Sequence, residues 1–278
     1  MPLDTSSYSL ALLRLDGRRW NELRRIHAQI STQPSADGSS YLEMGNTKVI
    51  CIVSGPAEGK RGAGAGGGGE RDQSNIVVEI SVAGFSGVDR KRRRNDRRTT
   101  ELQHTITQAL QATVYTSHYG GSTITISLHV LAQDGALLAA CINAATLALI
   151  DAGVPMSDYL VACTAGSTTH ASASAPQKPV GQQASIPGLS SLSGGGNFED
   201  TDDPLLDLNG LEEQELPFLT VATLGGERDA VVVCLLETRV HAARVEEMLA
   251  VGVDGCKRVR EILDGVVRVH GRRMVEGG

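Results

Sequence analysis

From Ser122 to Val130 the chain reads STITISLHV, with Ile124, Ile126, Leu128 and Val130 at every second position. A period of two is that of a strand with one apolar face. Asp134-Gly135 then makes a turn. Leu137–Ile150 follows, rich in alanine and leucine and apolar on most sides. A helix without a polar face belongs in the centre of a fold, and Gly153 suits its C-terminal cap, with Pro155 just beyond. A one-sided strand feeding directly into a buried helix points to an α/β or α+β architecture.

The flanking segments agree. Arg24–Ile30 and Thr47–Ser54 read as strands, separated by a turn at Ser35–Ser40, which makes them a hairpin. Asn75–Val82 (NIVVEISV) is another strand. In ELQHTITQALQATV, Leu102, Ile106 and Leu110 recur every four residues and mark one helical face, with Thr99 or Thr100 able to cap its start. Tyr159–Ala165 is a short strand. Phe218–Leu224 and Ala230–Leu236 form a hairpin around Gly225-Gly226. From Arg239 to His270, apolar residues at helical spacing predict a long amphipathic helix, interrupted near Gly252–Gly255. Two stretches cannot build a core: a glycine-rich loop at 59–74 and a Ser/Gly/Ala/Pro-rich segment at 167–203, read as a disordered insert. The chain therefore reads as one domain over 1–270 with a tail at 271–278.

Net charge is −6, yet seven of the 26 Lys and Arg residues fall between Arg90 and Arg98. Such confinement predicts a local electrostatic contact, not a generally basic surface. Five cysteines show no CxxC pair, and four of them lie among apolar residues, which suits buried thiols in a reducing compartment. The first residues carry no signal-peptide pattern. No apolar run approaches the ~20 residues of a membrane helix.

Four stretches together resemble the RNase PH family: LRLDGRRWNELR at 13–24, LEMGNTKVICIVSGP at 42–56, LHVLAQDGALLAACINAATLALIDAGVPMSDY at 128–159 and LLDLNGLEEQELP at 205–217. The third is highly specific. In order and extent they are similar to ring subunits of the eukaryotic RNA exosome, in their fungal-like form. The resemblance implies a two-layer RNase PH-like fold with mixed sheets and packed helices, assembly into a ring around a channel, and an ancestry among enzymes that shorten RNA from its 3′ end with phosphate as nucleophile.

The same resemblance questions whether that chemistry survives. Family enzymes follow the Asp-Gly turn with Gly, Ser or Thr, then Arg, which hold the phosphate at the helix N-terminus. Here those positions are Ala136, Leu137 and Leu138, and a desolvated phosphate dianion without a cation is very costly. Asp207 matches the first catalytic carboxylate. Glu213 stands where the second would be Asp, one methylene longer, and a displacement on the order of 1 Å can cost 10²-fold. The favoured reading makes Asp207, Glu212, Glu213 and Glu215 a solvated acidic loop. Arg97 and Arg98 match the family's RNA-contacting pair, at a helix N-terminus. Lys60 and Arg61 are candidate channel contacts in the loop after the second strand, and Arg90–Arg94 are left open between RNA, solvent and nuclear import.

No histidine or cysteine cluster has metal spacing, so neither a metal nor a cofactor is expected. Three Phe, five Tyr and one Trp argue against base stacking on an aromatic platform. The expectation is a non-catalytic exosome ring subunit that guides single-stranded RNA to an associated 3′–5′ exoribonuclease. Other RNase PH-like ring subunits and RNA-binding cap subunits would be its partners, in the nucleus, nucleolus and cytoplasm, with no membrane. The rival expectation is an active phosphorolytic 3′–5′ exoribonuclease.

Overall fold

The structure, a computed structural model, describes residues 13–58, 74–87, 96–168, 204–225 and 230–277. Lys60, Arg61, Arg90–Arg94, nearly all of the 59–74 loop and residues 169–203 lie outside the described residues. The first sheet has the order β1-β2-β3-β5-β4: β1 Ile26–Ile30, β2 Gly38–Met44, β3 Thr47–Glu58, β4 Asn75–Val82 and β5 Ser122–Ala132. Its pairs are antiparallel except β4 with β5, which is parallel. The second sheet is antiparallel, in the order β7-β6-β8-β9: β6 Leu160–Ser167, β7 Pro204–Leu206, β8 Phe218–Leu224 and β9 Ala230–Leu236. Four α-helices are found among the described residues: α1 Arg97–Thr113, α2 Leu137–Asp151, α3 Gly210–Glu215 and α4 Ala242–Gly277.

The alternating strand behaves as its pattern requires: Ile124, Ile126, Leu128 and Val130 are all fully buried. Every residue of α2 from Leu138 to Leu149 is buried as well. It packs on β2 and β3 and against β6, so it joins the two sheets. Two polar side chains make that junction. Asn143 donates from its amide to the Ala162 carbonyl (2.9 Å) and accepts from the Ala162 N–H (2.8 Å), while Thr146 donates to the Leu160 carbonyl (2.7 Å). β7 pairs with β6 only from Ala165 to Ser167. Asn143 and Thr146 therefore satisfy backbone groups that no neighbouring strand reaches.

Four boundaries differ from the sequence reading. The hairpin partner of β3 is β2, which turns through Gly45, and β1 pairs on the far side of β2. The turn expected over Ser35–Ser40 is thus shorter, and Gly38–Ser40 already belong to a strand. The α1 helix starts at Arg97, preceded by Asp96 in extended conformation, so neither Thr99 nor Thr100 is its cap. The α4 helix is continuous through Gly252–Gly255 and through the tail to Gly277. A Cβ on Gly252 would lie 3.0 Å from Val221, and one on Gly255 would lie 2.4 Å from Leu206. Both glycines are places of close helix–sheet approach, not breaks. Ser167, assigned to the insert, closes β6 opposite Pro204.

The segment β4–α1–β5 is a parallel crossover unit. It brings the carboxyl ends of β4 and β5 and the N-termini of α1 and α2 to one end of the first sheet. Crevices at such an end are the common place for ligands in α/β sheets.

Candidate functional site

The turn between β5 and α2 meets the segment between β7 and α3 at this end. Gly135 has φ +76°, and a Cβ there would come within 2.6 Å of the Asn209 backbone. Only glycine allows the two chains to lie this close. Asp134 fastens them: one carboxylate oxygen accepts from the Gly210 N–H (3.0 Å) and the other from the Asn46 amide (2.8 Å). Thr47 adds a hydroxyl bond to the Gly135 carbonyl (2.7 Å) and accepts from the Asp134 N–H (3.0 Å).

Asp207 sits in the left-handed region at φ +51°, which aspartate tolerates better than most residues. Its N–H donates to the Thr164 carbonyl at 2.7 Å. Its side chain is fully buried and engaged entirely by Arg24. One oxygen accepts from Nε (3.0 Å) and Nη2 (2.7 Å), and the other accepts from the Arg24 backbone N–H (2.9 Å). Burial works against the guanidinium's charge, but Asp207, joined by the charges of Glu213 and Asp134, outweighs it and holds Arg24 above its ordinary pKa. A second buried pair lies beside the first: Arg14 Nε donates to Glu212 at 2.9 Å, and its Nη2 contacts the other oxygen. Glu212 also accepts from the Asn209 N–H while Asn209 accepts from the Glu212 N–H, a capping box that starts α3.

This overturns the reading of a solvated acidic loop. Of its four carboxylates, Asp207 and Glu212 are fully buried in ion pairs, Glu213 is half-buried, and only Glu215 is exposed. The partners, Arg14 and Arg24, come from the opening segment about 190 residues earlier, so no local pattern in 205–217 announces them.

Glu213 reaches the N-terminus of α2. Its Oε1 accepts from the Ala136 N–H at 2.5 Å. Ala136 has φ +53° and is buried. Leu138 belongs to the core and Leu137 packs against it. The residues expected at the degenerate phosphate site are thus assembled in one place, with a carboxylate of the chain itself on the helix amide. Burial pushes the Glu213 carboxyl up to about 7, and the Asp207 charge adds to the rise. The Ala136 N–H and the charges of Arg24 and Arg98 pull the other way.

Arg97 and Arg98 occupy the first turn of α1 and are exposed, as expected. Arg97 pairs with Glu101 at 2.9 Å, and Arg98 lies 3.7 Å from Glu237 of the loop after β9. They line a cleft of about 610 Å³ with Leu102, Thr105 and Leu235. Among the described residues, no cluster of three or more His, Cys, Asp or Glu is placed to hold a metal ion, and no helix is long and apolar enough to cross a membrane. Cys51, Cys141, Cys163 and Cys256 are buried, and Cys234 is exposed.

A five-stranded mixed sheet and a four-stranded antiparallel sheet, joined by a buried helix, define an RNase PH-type α/β fold. Rice Rrp46 shares it with a TM-score of 0.72 at 21% identity, over 92% of this chain and all of that one. A chain of the Archaeoglobus fulgidus exosome with RNA bound to the active site gives 0.69 at 20% identity, over 93% and 96% of the two chains. The sequence comparisons go further. The model of the 3′ exoribonuclease family, domain 1, matches residues 22–155. The chain is 38% identical over 261 residues to the exosome complex component ski6 of Schizosaccharomyces pombe, covering 94% of this chain and 93% of that protein. It is 34% identical over 261 residues to the exosome complex component RRP41 of Homo sapiens, covering 93% and 92%. The chain belongs to the RNase PH family and is a homologue of the Ski6 and RRP41 exosome components.

Proposed function

We propose that the chain is a ring subunit of an RNA exosome that takes part in 3′–5′ RNA processing and degradation without performing phosphorolysis itself. In this reading it scaffolds the ring with other RNase PH-like subunits under RNA-binding cap subunits. It guides single-stranded RNA along Arg97 and Arg98 to an associated 3′–5′ exoribonuclease, in the nucleus, nucleolus and cytoplasm. Lys60 and Arg61 are assigned to the same path.

The observation that carries the non-catalytic part is the state of the α2 N-terminus. A phosphate ion brought to the Ala136 amide would meet the Glu213 carboxylate already bonded there. Leu137 and Leu138 offer neither a hydroxyl nor a cation. Arg24, whose charge is felt at Glu213, is already bound by Asp207 and the Asp134 carbonyl. Glu213 therefore competes with the phosphate for the Ala136 amide, and wherever its carboxyl is ionised the two anions repel strongly unless cations intervene. The part concerning RNA rests on the exposed arginine pair, whose guanidiniums can make bidentate phosphate contacts indifferent to base sequence.

The test is phosphate-dependent release of nucleoside diphosphates from single-stranded RNA by the assembled ring, without any added nuclease. The expected result is no diphosphate, with RNA still bound. Diphosphate release that is lost in Glu213→Ala would show that the site works and would overturn the non-catalytic assignment.

A further inference from the structure

Phe85 is 70% exposed, in a chain with only three phenylalanines. A single exposed apolar side chain is ordinary on a protein surface; the position of this one is not. It stands on the loop that leaves β4, at the carboxyl end of the parallel β4–β5 pair. This is the end that also carries the N-terminus of α1, with Arg97 and Arg98, and the turn of Asp134–Ala136. The loop is tied there by its backbone. Ala83 N–H donates to the Val130 carbonyl (3.0 Å), Ser86 N–H to the Ala83 carbonyl (3.0 Å), and Gln133 N–H to the Ser86 carbonyl (3.2 Å). Gln133 is adjacent to Asp134, so the Phe85 loop borders the turn that supports the site. The bonds fix the backbone on the first sheet while the ring stays in solvent.

An exposed aromatic ring at the same end of a sheet as exposed guanidiniums is a combination by which single-stranded nucleic acid is bound without sequence preference. The cations hold the phosphates and the ring stacks on a base, since every base has a π-face. A protein partner would also accept a phenylalanine, but two exposed arginines at the same end of the sheet and the position at the crevice end favour RNA. We propose that Phe85 stacks on an unpaired base of the RNA strand whose backbone Arg97 and Arg98 hold. The inference rests on the RNA-guiding assignment above and deepens it. It needs one ring, not the aromatic platform that three Phe, five Tyr and one Trp argue against.

The experiment uses the assembled ring and oligouridine carrying 5-iodouridine. Photocrosslinking should mark the peptide containing Phe85, and the mark should vanish in Phe85→Ala. That variant should bind oligouridine roughly 5- to 150-fold more weakly, Phe85→Tyr should restore binding, and the salt dependence should keep its slope, because no phosphate contact is lost. The Arg97→Glu/Arg98→Glu ring is measured alongside. If that ring loses RNA while Phe85→Ala keeps full affinity and no crosslink forms, the stacking proposal fails and the RNA-guiding assignment stands. If both variants bind like wild type, both fall. If Phe85→Ala prevents ring assembly, as read by native mass, Phe85 is a subunit contact and the proposal is overturned.

Discussion

Two sets of arginines in this chain lie at the same end of the fold and do opposite things. Arg14 and Arg24 are buried, each against one carboxylate, and their guanidiniums also bind backbone carbonyls. Arg97 and Arg98 are exposed on the first turn of a helix and, among the described residues, pair with exposed acids. The residue type is the same; the environment decides. A buried pair stands on a large desolvation cost that its partner must offset, so removing one member leaves an uncompensated charge. An exposed pair contributes little to stability and is free to exchange its acid for a phosphate. Asp207, expected from the resemblance to be the first carboxylate, lies on the buried side of this divide, where it holds the opening segment of the chain to the second sheet.

The sharpest way to break the contrast is Asp207→Asn. Asparagine tolerates the left-handed backbone at this position, so the change isolates the charge. Arg24 would remain buried and unpaired, and the expected loss is about 3–5 kcal/mol, read from urea denaturation. Removing the stranded cation as well, in Arg24→Met with Asp207→Asn, should recover part of that loss, since no unpaired buried charge remains. A loss under about 1 kcal/mol in Asp207→Asn, the range of surface pairs, would mean that the buried pair is not structural.

Glu213 lies between the two regions and gives the next largest effect. Its carboxyl is pushed up to about 7 in the fold from an ordinary value of 4.5. Between those values the folded state binds more protons than the unfolded state, so stability falls as pH rises. A rise of this size corresponds to about 3 kcal/mol lost by pH 8 relative to pH 4. Glu213→Gln keeps an oxygen for the Ala136 N–H and removes the titration. The variant should match the wild type near pH 4 and exceed it at pH 8, and its stability profile should be flatter from pH 4.5 to 7. An unchanged profile would place the Glu213 carboxylate in solvent.

How much of this was readable follows the range over which each interaction acts. The strand Ser122–Val130, the buried helix after it and the Phe218–Leu236 hairpin are written in local periodicity, and their bounds came out within two residues. β2 was missed because Gly38, Ser39 and Ser40 have no strand pattern. Their fit depends on α2: Ser40 donates to the Ala144 carbonyl (2.7 Å), Asp151 accepts from the Ser39 N–H (2.8 Å), and a Cβ on Gly38 would lie 2.3 Å from the Ala148 carbonyl. The site was legible as a set of positions, Ala136 to Leu138 with Asp207 and Glu213, but not as a set of contacts. Whether an acid in 205–217 is solvated or paired is decided by Arg14 and Arg24, far away in the chain, and by the left-handed turn at Asp207.

The smallest expected effect on stability falls on the exposed side. Arg97 has a side chain 92% exposed, and its bond to Glu101 is an i,i+4 surface pair. The Arg98 contact to Glu237 is long at 3.7 Å, between two exposed groups. Pairs of this kind are worth about 0.2–1 kcal/mol. Reversing both charges also places acids at a helix N-terminus, where the dipole favours them by a comparable amount. The two terms oppose each other, so Arg97→Glu/Arg98→Glu should unfold within about 0.5 kcal/mol of wild type. If the arginines contact RNA phosphates, the same variant should lose affinity for single-stranded RNA, and log K against log salt should flatten by more than one unit. Lost stability with unchanged RNA binding would move Arg97 and Arg98 to the structural side of the divide, together with Arg14 and Arg24.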